Sequence, residues 1–245
     1  MSLTGKTVLI TGGGTGVGAD LARGFAGAGA GVIVAGRRLG PLEQVAGETG
    51  GRAVQVDVTD EASVAAMYLA AGPVDIVIAN AGASASAPFG KVGLGDWQAM
   101  LDVNLTGTFL TLRDGLRQMT GWGRLIAVAS TAGLKGYAYV APYAAAKHGV
   151  VGLIRSLALE VARKPITANA LCPGFLDTEM TDRSVANIVE KTGMSSEDAR
   201  SRLASTNPQK RLIQPAEVTA AALWMCAPGS EGMNGQAVPI AGGEV

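Results

Sequence analysis

The feature that most constrains the fold is a glycine-rich turn between a β-type run and a helical stretch near the amino terminus. Lys6–Ile10 is a short β-rich run, residues 11–18 have the sequence T-G-G-G-T-G-V-G, and Ala19–Ala28 has helical character. In this context the glycines permit a tight turn in which a phosphate approaches backbone N–H groups at the positive end of a helix. We expect an open α/β sheet whose first turn binds a dinucleotide through Gly12, Gly14, Thr15, Gly16, Val17 and Gly18.

The end of the second candidate strand, Gly31–Ala35, indicates which dinucleotide is bound. Sites for NAD usually place an acidic residue at this point, where it binds the ribose hydroxyls. Here the chain continues Gly36-Arg37-Arg38. A guanidinium binds a 2′-phosphate through charge-assisted hydrogen bonds, whereas a carboxylate repels it. Arg37 and Arg38 therefore favour NADP(H) over NAD(H), the alternative being a solvated pair of loop residues.

Asp57 follows the third candidate strand, Arg52–Val56. Its carboxylate could accept a hydrogen bond from the adenine amino group. It could equally cap the helix that begins near Thr59-Asp60, since a short acid at a strand end can serve either purpose. Both roles are left open at this point.

Three residues in the middle of the chain have a spacing suited to proton transfer. Tyr143 and Lys147 are four residues apart in an alanine-rich helical stretch, so they share one helix face. A cation beside a phenol is expected to lower its pKa from the ordinary value of roughly 10, as acid–base catalysis requires. Ser130 ends the apolar run Leu125–Ala129, at the edge where open α/β sheets bind ligands. Its hydroxyl is placed to bind the oxygen whose proton Tyr143 transfers.

These motifs together resemble the short-chain dehydrogenase/reductase family, and the resemblance extends from Thr11 to Gly243. It implies a single Rossmann-type domain over residues 1–245, with a seven-stranded parallel sheet in the order 3-2-1-4-5-6-7 and helices on both faces. It implies that Ser130, Tyr143 and Lys147 are catalytic, and that Asn104 holds a water that links Lys147 to solvent. The further cofactor-binding residues that it implies are Val58, Asn80, Ala81, Gly82, Pro173, Gly174 and Thr178, in addition to Tyr143 and Lys147.

Within the family, three segments are similar to aromatic polyketide ketoreductases and to reductases of 3-oxoacyl thioesters. They are S-T-A-G from Ser130, K-H-G-V-V-G from Lys147 and N-A-L-C-P-G-F from Asn169. The glycine turn departs from many NADPH-using members because it lacks a basic residue just before Gly16. The resemblance also implies a homotetramer, in which residues 242–245 are expected to reach a neighbouring subunit.

Composition restricts the other possibilities. The formal net charge is zero and no basic run stands out, which gives a nucleic-acid partner little electrostatic support. No apolar segment has membrane length, and the first strand begins so early that no signal peptide is expected. The two cysteines indicate a reducing, cytoplasmic location, and a single histidine makes a metal site unexpected. Cys172, beside Pro173, is expected to be a small buried hydrophobe.

The segment 175–214 is the longest stretch without a candidate strand. Apolar residues are scattered among polar ones, and Gly193 and Pro208 mark breaks that indicate two short helices. An insertion beyond a strand's carboxyl end is a candidate substrate lid. Ordinary docking of two helices would require the same apolar residues.

The function expected from these residues is reversible hydride transfer between NADP(H) and a ketone/secondary-alcohol pair. A 3-oxoacyl thioester or related ketone is preferred as substrate. The alternatives are an NAD-dependent dehydrogenase of a small secondary alcohol, hydroxyacyl-CoA, sugar or steroid, and a non-catalytic NADP(H)-binding regulator. A methyltransferase would need an acid where Gly36 stands.

Overall fold

The protein forms one parallel β-sheet with helices on both faces, here described from a computed structural model that covers residues 2–245. The sheet has the order β3-β2-β1-β4-β5-β6-β7, as predicted. The strands are β1 (Thr7–Thr11), β2 (Gly31–Gly36), β3 (Arg52–Gln55), β4 (Ile76–Ala79), β5 (Gly123–Val128), β6 (Ile166–Pro173) and β7 (Ala237–Ile240). The four strands for which bounds were expected, β1, β2, β3 and β5, each lie within two residues of those bounds.

The helices connect successive strands, as parallel neighbours require. They are α1 (Gly16–Gly27), α2 (Leu39–Thr49), α3 (Glu61–Ala71), α4 (Leu94–Leu101), α5 (Gly107–Gln118), α6 (Ala141–Val161), α7 (Glu179–Thr192), α8 (Ser196–Ala204) and α9 (Pro215–Met225). A π-helical turn, Asp102–Thr106, joins α4 to α5. Among the described residues, no helix is long and apolar enough to cross a membrane.

Two apolar cores form because successive strand residues face opposite sides of the sheet. In β1, Leu9 packs in the core on one face, while Val8 and Ile10 pack in the other. The first core also contains Val150 from α6, and the second contains Phe25 from α1. Every strand except the two at the edges is therefore buried on both faces, and the carboxyl ends of the strands are left to form a site.

The segment 175–214 contains α7 and α8, the two helices expected there. The helix α7 ends at Gly193, which has a left-handed φ of 69°. One isolated parallel bridge, Leu176 to Ile213, closes the base of the insertion. The insertion therefore projects from the carboxyl end of β6, where a lid would have to lie.

Candidate active site

The glycine turn lies beside the end of β4 and is held there by Asn80. The Asn80 amide nitrogen donates to the carbonyl oxygens of Thr11 (3.0 Å) and Gly12 (3.2 Å). Gly12 has a φ of 65°, and a Cβ at this position would lie 2.9 Å from the Ala81 Cα. A side chain would therefore be strained by conformation and by contact. Asn80, Ala81 and Gly12 are brought together as predicted.

The start of α1 can accept a phosphate. Thr15, the N-cap residue, is extended and makes no side-chain capping hydrogen bond, so the first backbone N–H groups lack that partner. A Cβ on Gly18 would clash with the Gly12 carbonyl oxygen, which keeps the turn tight against the helix. These features fit the pyrophosphate of a dinucleotide, which is bound by such uncapped helix ends.

The remaining residues of the turn divide into lining and packing positions. A Cβ on Gly14 would lie 3.1 Å from the Pro41 Cβ, and a Cβ on Gly16 would lie 3.5 Å from the Thr178 Cγ2. Val17 is buried in the core, so its contribution to a nucleotide site is limited to its backbone. Thr178 is itself the N-cap of α7, and therefore lies between the turn and the insertion.

A pocket of about 390 Å³ lies between the ends of β2 and β3. Arg37, Gln55, Val56, Asp57 and Ser63 line it. Arg37 is exposed, and its carbonyl oxygen accepts a hydrogen bond from Gln55. The pocket thus has the guanidinium expected for a ribose phosphate, whereas Arg38 is the N-cap of α2 and does not line the pocket.

The capping role considered for Asp57 belongs to Asp60. The Asp60 carboxylate accepts hydrogen bonds from the backbone N–H groups of Ala62 and Ser63 at the start of α3. Asp57 instead accepts from the backbone N–H (3.0 Å) and hydroxyl (2.8 Å) of Thr59, and these bonds lower the pKa of its carboxyl. Asp60 is the cap because it is three residues closer to the helix, and the lowered pKa keeps Asp57 ionised in the pocket.

Ser130, Tyr143 and Lys147 meet at the carboxyl end of β5. Ser130 follows that strand and caps a short 3₁₀ turn, where its hydroxyl accepts a hydrogen bond from the Ala132 backbone N–H (3.1 Å), and it lies near enough to the half-buried Tyr143 phenol to lower the pKa of that phenol. The Lys147 ammonium lies 5.6 Å from the Tyr143 ring centroid and donates to the Val128 carbonyl oxygen (2.8 Å). The predicted cluster is thus formed, with Lys147 almost wholly buried beneath it.

The electrostatics of this cluster differ from the sequence-based expectation. Burial raises the pKa of the Tyr143 phenol, and the neighbouring Ser130 hydroxyl offsets only part of that rise. Burial also lowers the pKa of Lys147 to about 8. The expected net lowering of the tyrosine pKa is therefore wrong for this structure, because burial of the phenol is the dominant influence on that pKa. The phenol is protonated near neutral pH, as a proton donor must be.

Asn104 lies in the π-helical turn and is completely buried. Its amide donates to the carbonyl oxygens of Ala83 (2.9 Å) and Met100 (3.0 Å). A Cβ on Gly82 would lie 2.8 Å from the Asn104 side-chain oxygen and 3.7 Å from the Lys147 ammonium. Asn104 and Lys147 therefore meet at Gly82, but the Asn104 amide is committed to the loop after β4.

The end of β6 completes the site. The Gly174 backbone N–H donates to the Ile240 carbonyl oxygen (3.1 Å), which fixes the Pro173-Gly174 turn against β7. Cys172 is buried, and burial raises the pKa of its thiol to about 11. A thiol with that pKa is a poor nucleophile, in agreement with a packing role. Val58 is also buried, against Gly107, and can reach a cofactor only through its backbone.

Two groups beside the site were not anticipated. The Thr11 hydroxyl accepts hydrogen bonds from the backbone N–H groups of Asn80 and Ala81, and so joins β1 to the loop after β4. Glu244 is bound within its own chain, by Lys135 and Tyr137. The position of Thr11 at the start of the glycine turn was a usable signal, whereas nothing local marks the contact of Glu244.

Comparison with known proteins agrees with this geometry. A family model described as short chain dehydrogenase matches residues 6–188. The chain belongs to the short-chain dehydrogenase family. A putative ketoacyl reductase of Streptomyces coelicolor is 34% identical, with 97% of this chain and 96% of that protein covered. A D-beta-hydroxybutyrate dehydrogenase of Cupriavidus necator is also 34% identical, with 99% of each covered.

Among solved structures, a single-residue variant of actinorhodin polyketide ketoreductase with NADPH resembles this short-chain dehydrogenase throughout. The TM-score is 0.91 and the identity 32%, and the match covers 100% of this chain and 99% of that one. The reaction class, oxidoreductase, follows from the family. The relatives at equal identity act on different compounds by their names, so substrate and cofactor have to be argued from the residues of this chain.

Proposed function

We propose that this short-chain dehydrogenase transfers a hydride reversibly between NADP(H) and a ketone/secondary-alcohol pair. The observation that carries the proposal is the cluster of Ser130, Tyr143 and Lys147 at the strand ends that also bear the glycine turn. A bound nicotinamide would supply the hydride, and the protein supplies orientation and proton transfer.

Ser130, Tyr143 and Lys147 each have a separate role in the reaction. The Ser130 and Tyr143 hydroxyls bind the carbonyl oxygen, and Tyr143 donates its proton to that oxygen as negative charge develops. The charge of Lys147, 5.6 Å from the ring centroid, stabilises the phenolate left behind. Asn104 holds the loop around Gly82 against Lys147, where a water could resupply the proton.

Of the two arginines after β2, Arg37 is the one that supports NADP(H) as the cofactor. Arg37 lines the pocket at the end of β2, where the adenosine ribose is bound in sites of this fold. Gly36 supplies no carboxylate to repel a 2′-phosphate there. The neighbouring Asp57 lies at the end of β3, where it accepts from Thr59 and is free to accept from an adenine amino group as well.

A 3-oxoacyl thioester or a related ketone is the proposed substrate. The support is the similarity to a ketoacyl reductase and to a polyketide ketoreductase over nearly the whole chain. A second candidate, NAD-dependent oxidation of a small hydroxy acid or alcohol, is favoured by the equally similar hydroxybutyrate dehydrogenase.

Steady-state kinetics with purified protein separate these candidates. We expect NADPH absorbance to fall when an acetoacetyl thioester or a simple diketone is added, with a KM for NADPH at least about tenfold below that for NADH. Arg37→Ala should raise the KM for NADPH and leave that for NADH unchanged. A preference for NADH together with oxidation of 3-hydroxybutyrate would support the second candidate and contradict the first.

Two further proposals concern the whole protein. The family resemblance supports a homotetramer, which light scattering coupled to size-exclusion chromatography would measure directly. Cys172 and Cys226 are both free thiols, which supports a cytoplasmic location.

We also propose that residues 175–214 form the substrate lid.

A further inference from the structure

The residues after β7 cross the carboxyl ends of two strands. In the sheet, β6 lies between β5 and β7. Glu244 follows β7, yet its side chain binds Lys135 in the segment after β5, and it approaches Gly174 at the end of β6. A single side chain thus connects the ends of three adjacent strands on the side of the sheet that holds Ser130.

The Glu244 carboxylate is buried and has close charged and hydrogen-bonded partners. The Lys135 ammonium lies 3.1 Å from Oε1 and donates to the Glu244 carbonyl oxygen at 3.3 Å. The Tyr137 phenol donates to the same Oε1 at 2.6 Å. Only 2% of the Glu244 side chain is exposed. A buried carboxylate requires such charged and hydrogen-bonded partners, so the pairing is specific to this position.

A chain of hydrogen bonds continues from Glu244 to the residue next to the catalytic serine. The Tyr137 phenolic oxygen lies 2.7 Å from the Thr131 hydroxyl, and Thr131 directly follows Ser130. A phenol has one proton, which the carboxylate attracts more strongly, so the Thr131 hydroxyl donates to Tyr137. The Tyr137 ring also packs edge-on against Phe175, with ring centroids 6.4 Å apart. Tyr137 therefore joins the segment after β5 to the segment after β6.

The second carboxylate oxygen of Glu244 has no hydrogen-bond partner although it is buried. It lies 3.1 Å from the position that a Cβ on residue 174 would occupy, so a larger residue than Gly174 would collide with it. A buried polar atom without a hydrogen-bond partner destabilises the folded protein. Such a group in a native structure calls for an explanation, and a requirement of the neighbouring site is one.

We propose that Glu244 is a positioning residue which, through Tyr137 and Thr131, holds the Ser130 segment and the adjoining Tyr137–Phe175 ring pair in the geometry that binds the ketone. This inference rests on the proposed function, since it concerns binding of that substrate. It predicts that Glu244 affects the affinity for the ketone and leaves the affinity for the dinucleotide unchanged.

A double-mutant cycle tests this path. Glu244→Ala and Tyr137→Phe should each raise the KM for an acetoacetyl thioester about tenfold, with kcat changed less than about twofold. The dissociation constant for NADPH, measured by nicotinamide fluorescence, should not change. The ketone KM of the double variant should be no higher than that of the more impaired single variant, because both changes break the same path. Glu244→Gln keeps the acceptor for Tyr137 and should recover most of the affinity.

Glu48→Ala is the matched control. Glu48 forms an exposed ion pair with Arg23 (2.7 Å) on the outer surface of α2, so its loss should leave both KM values unchanged. An unchanged ketone KM in a folded Glu244→Ala protein would overturn this inference and leave the proposed function standing. The same holds if the effects of Glu244→Ala and Tyr137→Phe on the ketone KM multiply in the double variant. It also holds if Glu244→Ala lowers kcat and the affinity for NADPH as much as the affinity for the ketone. A wild-type protein that reduces no ketone would overturn the proposed function, and this inference with it.

Discussion

At the scale of single residues, burial decides the chemistry of the site more than proximity does. Tyr143 and Lys147 lie where the helical spacing predicts, yet burial raises the pKa of the phenol and lowers that of the ammonium to about 8. At neutral pH the phenol is protonated and the ammonium is mostly charged. This is the pair of states in which Tyr143 can donate a proton and Lys147 can stabilise the resulting anion.

Tyr143→Phe should lower kcat for ketone reduction by about 10²- to 10⁴-fold, the usual contribution of a general acid. The change removes only a hydroxyl, so the dissociation constant for NADPH should stay within about twofold of wild type. Steady-state kinetics and fluorescence titration measure the two quantities separately. A variant that retains more than about a tenth of the wild-type rate would exclude Tyr143 as the acid.

Two glycines of α1 provide a second residue-scale prediction. Gly18→Ala should lower the melting temperature and abolish NADPH binding, because its Cβ would clash with the Gly12 carbonyl oxygen. The expected loss of stability is at least about 2 kcal/mol. Gly27→Ala, on the same helix, meets no atom within 4 Å and should be neutral or slightly stabilising. Equal thermal stability of the two variants would contradict the clash.

At the scale of elements, the strands and their order follow from the sequence because the signals are local and repeated. Apolar runs such as Leu125–Ala129 are too short for helices and alternate with helical stretches, and right-handed crossovers then limit the topology. The two helices of the 175–214 insertion were also predictable from Gly193. The contact that ties α7 to the loop after β4 was not predictable, because its partner is about a hundred residues away: the Asn187 side chain donates to the Ser86 hydroxyl (2.9 Å).

Asn187→Ala tests the proposed lid. Loss of its bond to Ser86 should loosen α7 from the loop after β4, where Lys191 also donates to the Ser86 carbonyl oxygen (3.4 Å). The ketone KM should rise about threefold to tenfold, while the global melting temperature changes little. Ser184→Ala is the matched control, because its hydroxyl bonds only to Met180 within α7. Identical kinetics for the Asn187 variant and wild type would show that this contact does not hold a lid.

At the scale of the whole molecule, the site has a cost in stability because Lys147 lies between packed layers. Its folded-state pKa of about 8 is below the ordinary value of 10.5, so the unfolded chain binds more protons between these values. Stability contributed by this group must therefore rise with pH across that window. Burial raises the thiol pKa values of Cys172 and Cys226 from 9.0 to about 11 and about 12. The stability contributed by these thiols therefore falls as the pH rises above 9.0.

Comparison of wild type with Lys147→Met isolates the lysine, because the cysteines are common to both proteins. The free energy of unfolding of the variant minus that of wild type should be largest below pH 8. This difference should decrease by on the order of 1–3 kcal/mol as the pH rises to about 10.5. Urea unfolding across this range measures the difference. A difference that does not change with pH would mean that burial of the charge is not what perturbs Lys147.

The sequence by itself determined the alternation of strands and helices, the glycine turn and the pairing of Tyr143 with Lys147, because each depends on residues close together along the chain. The full seven-stranded order followed from the resemblance to the family. Only the tertiary structure decided the direction of the Tyr143 pKa, the choice of Asp60 over Asp57 as the cap of α3, and the binding of Glu244 to Lys135. Desolvation depends on every layer that covers a group, and a capping bond depends on where the helix begins. The contact of Glu244 forms only when β5, β6 and β7 lie side by side, and no local pattern records that arrangement.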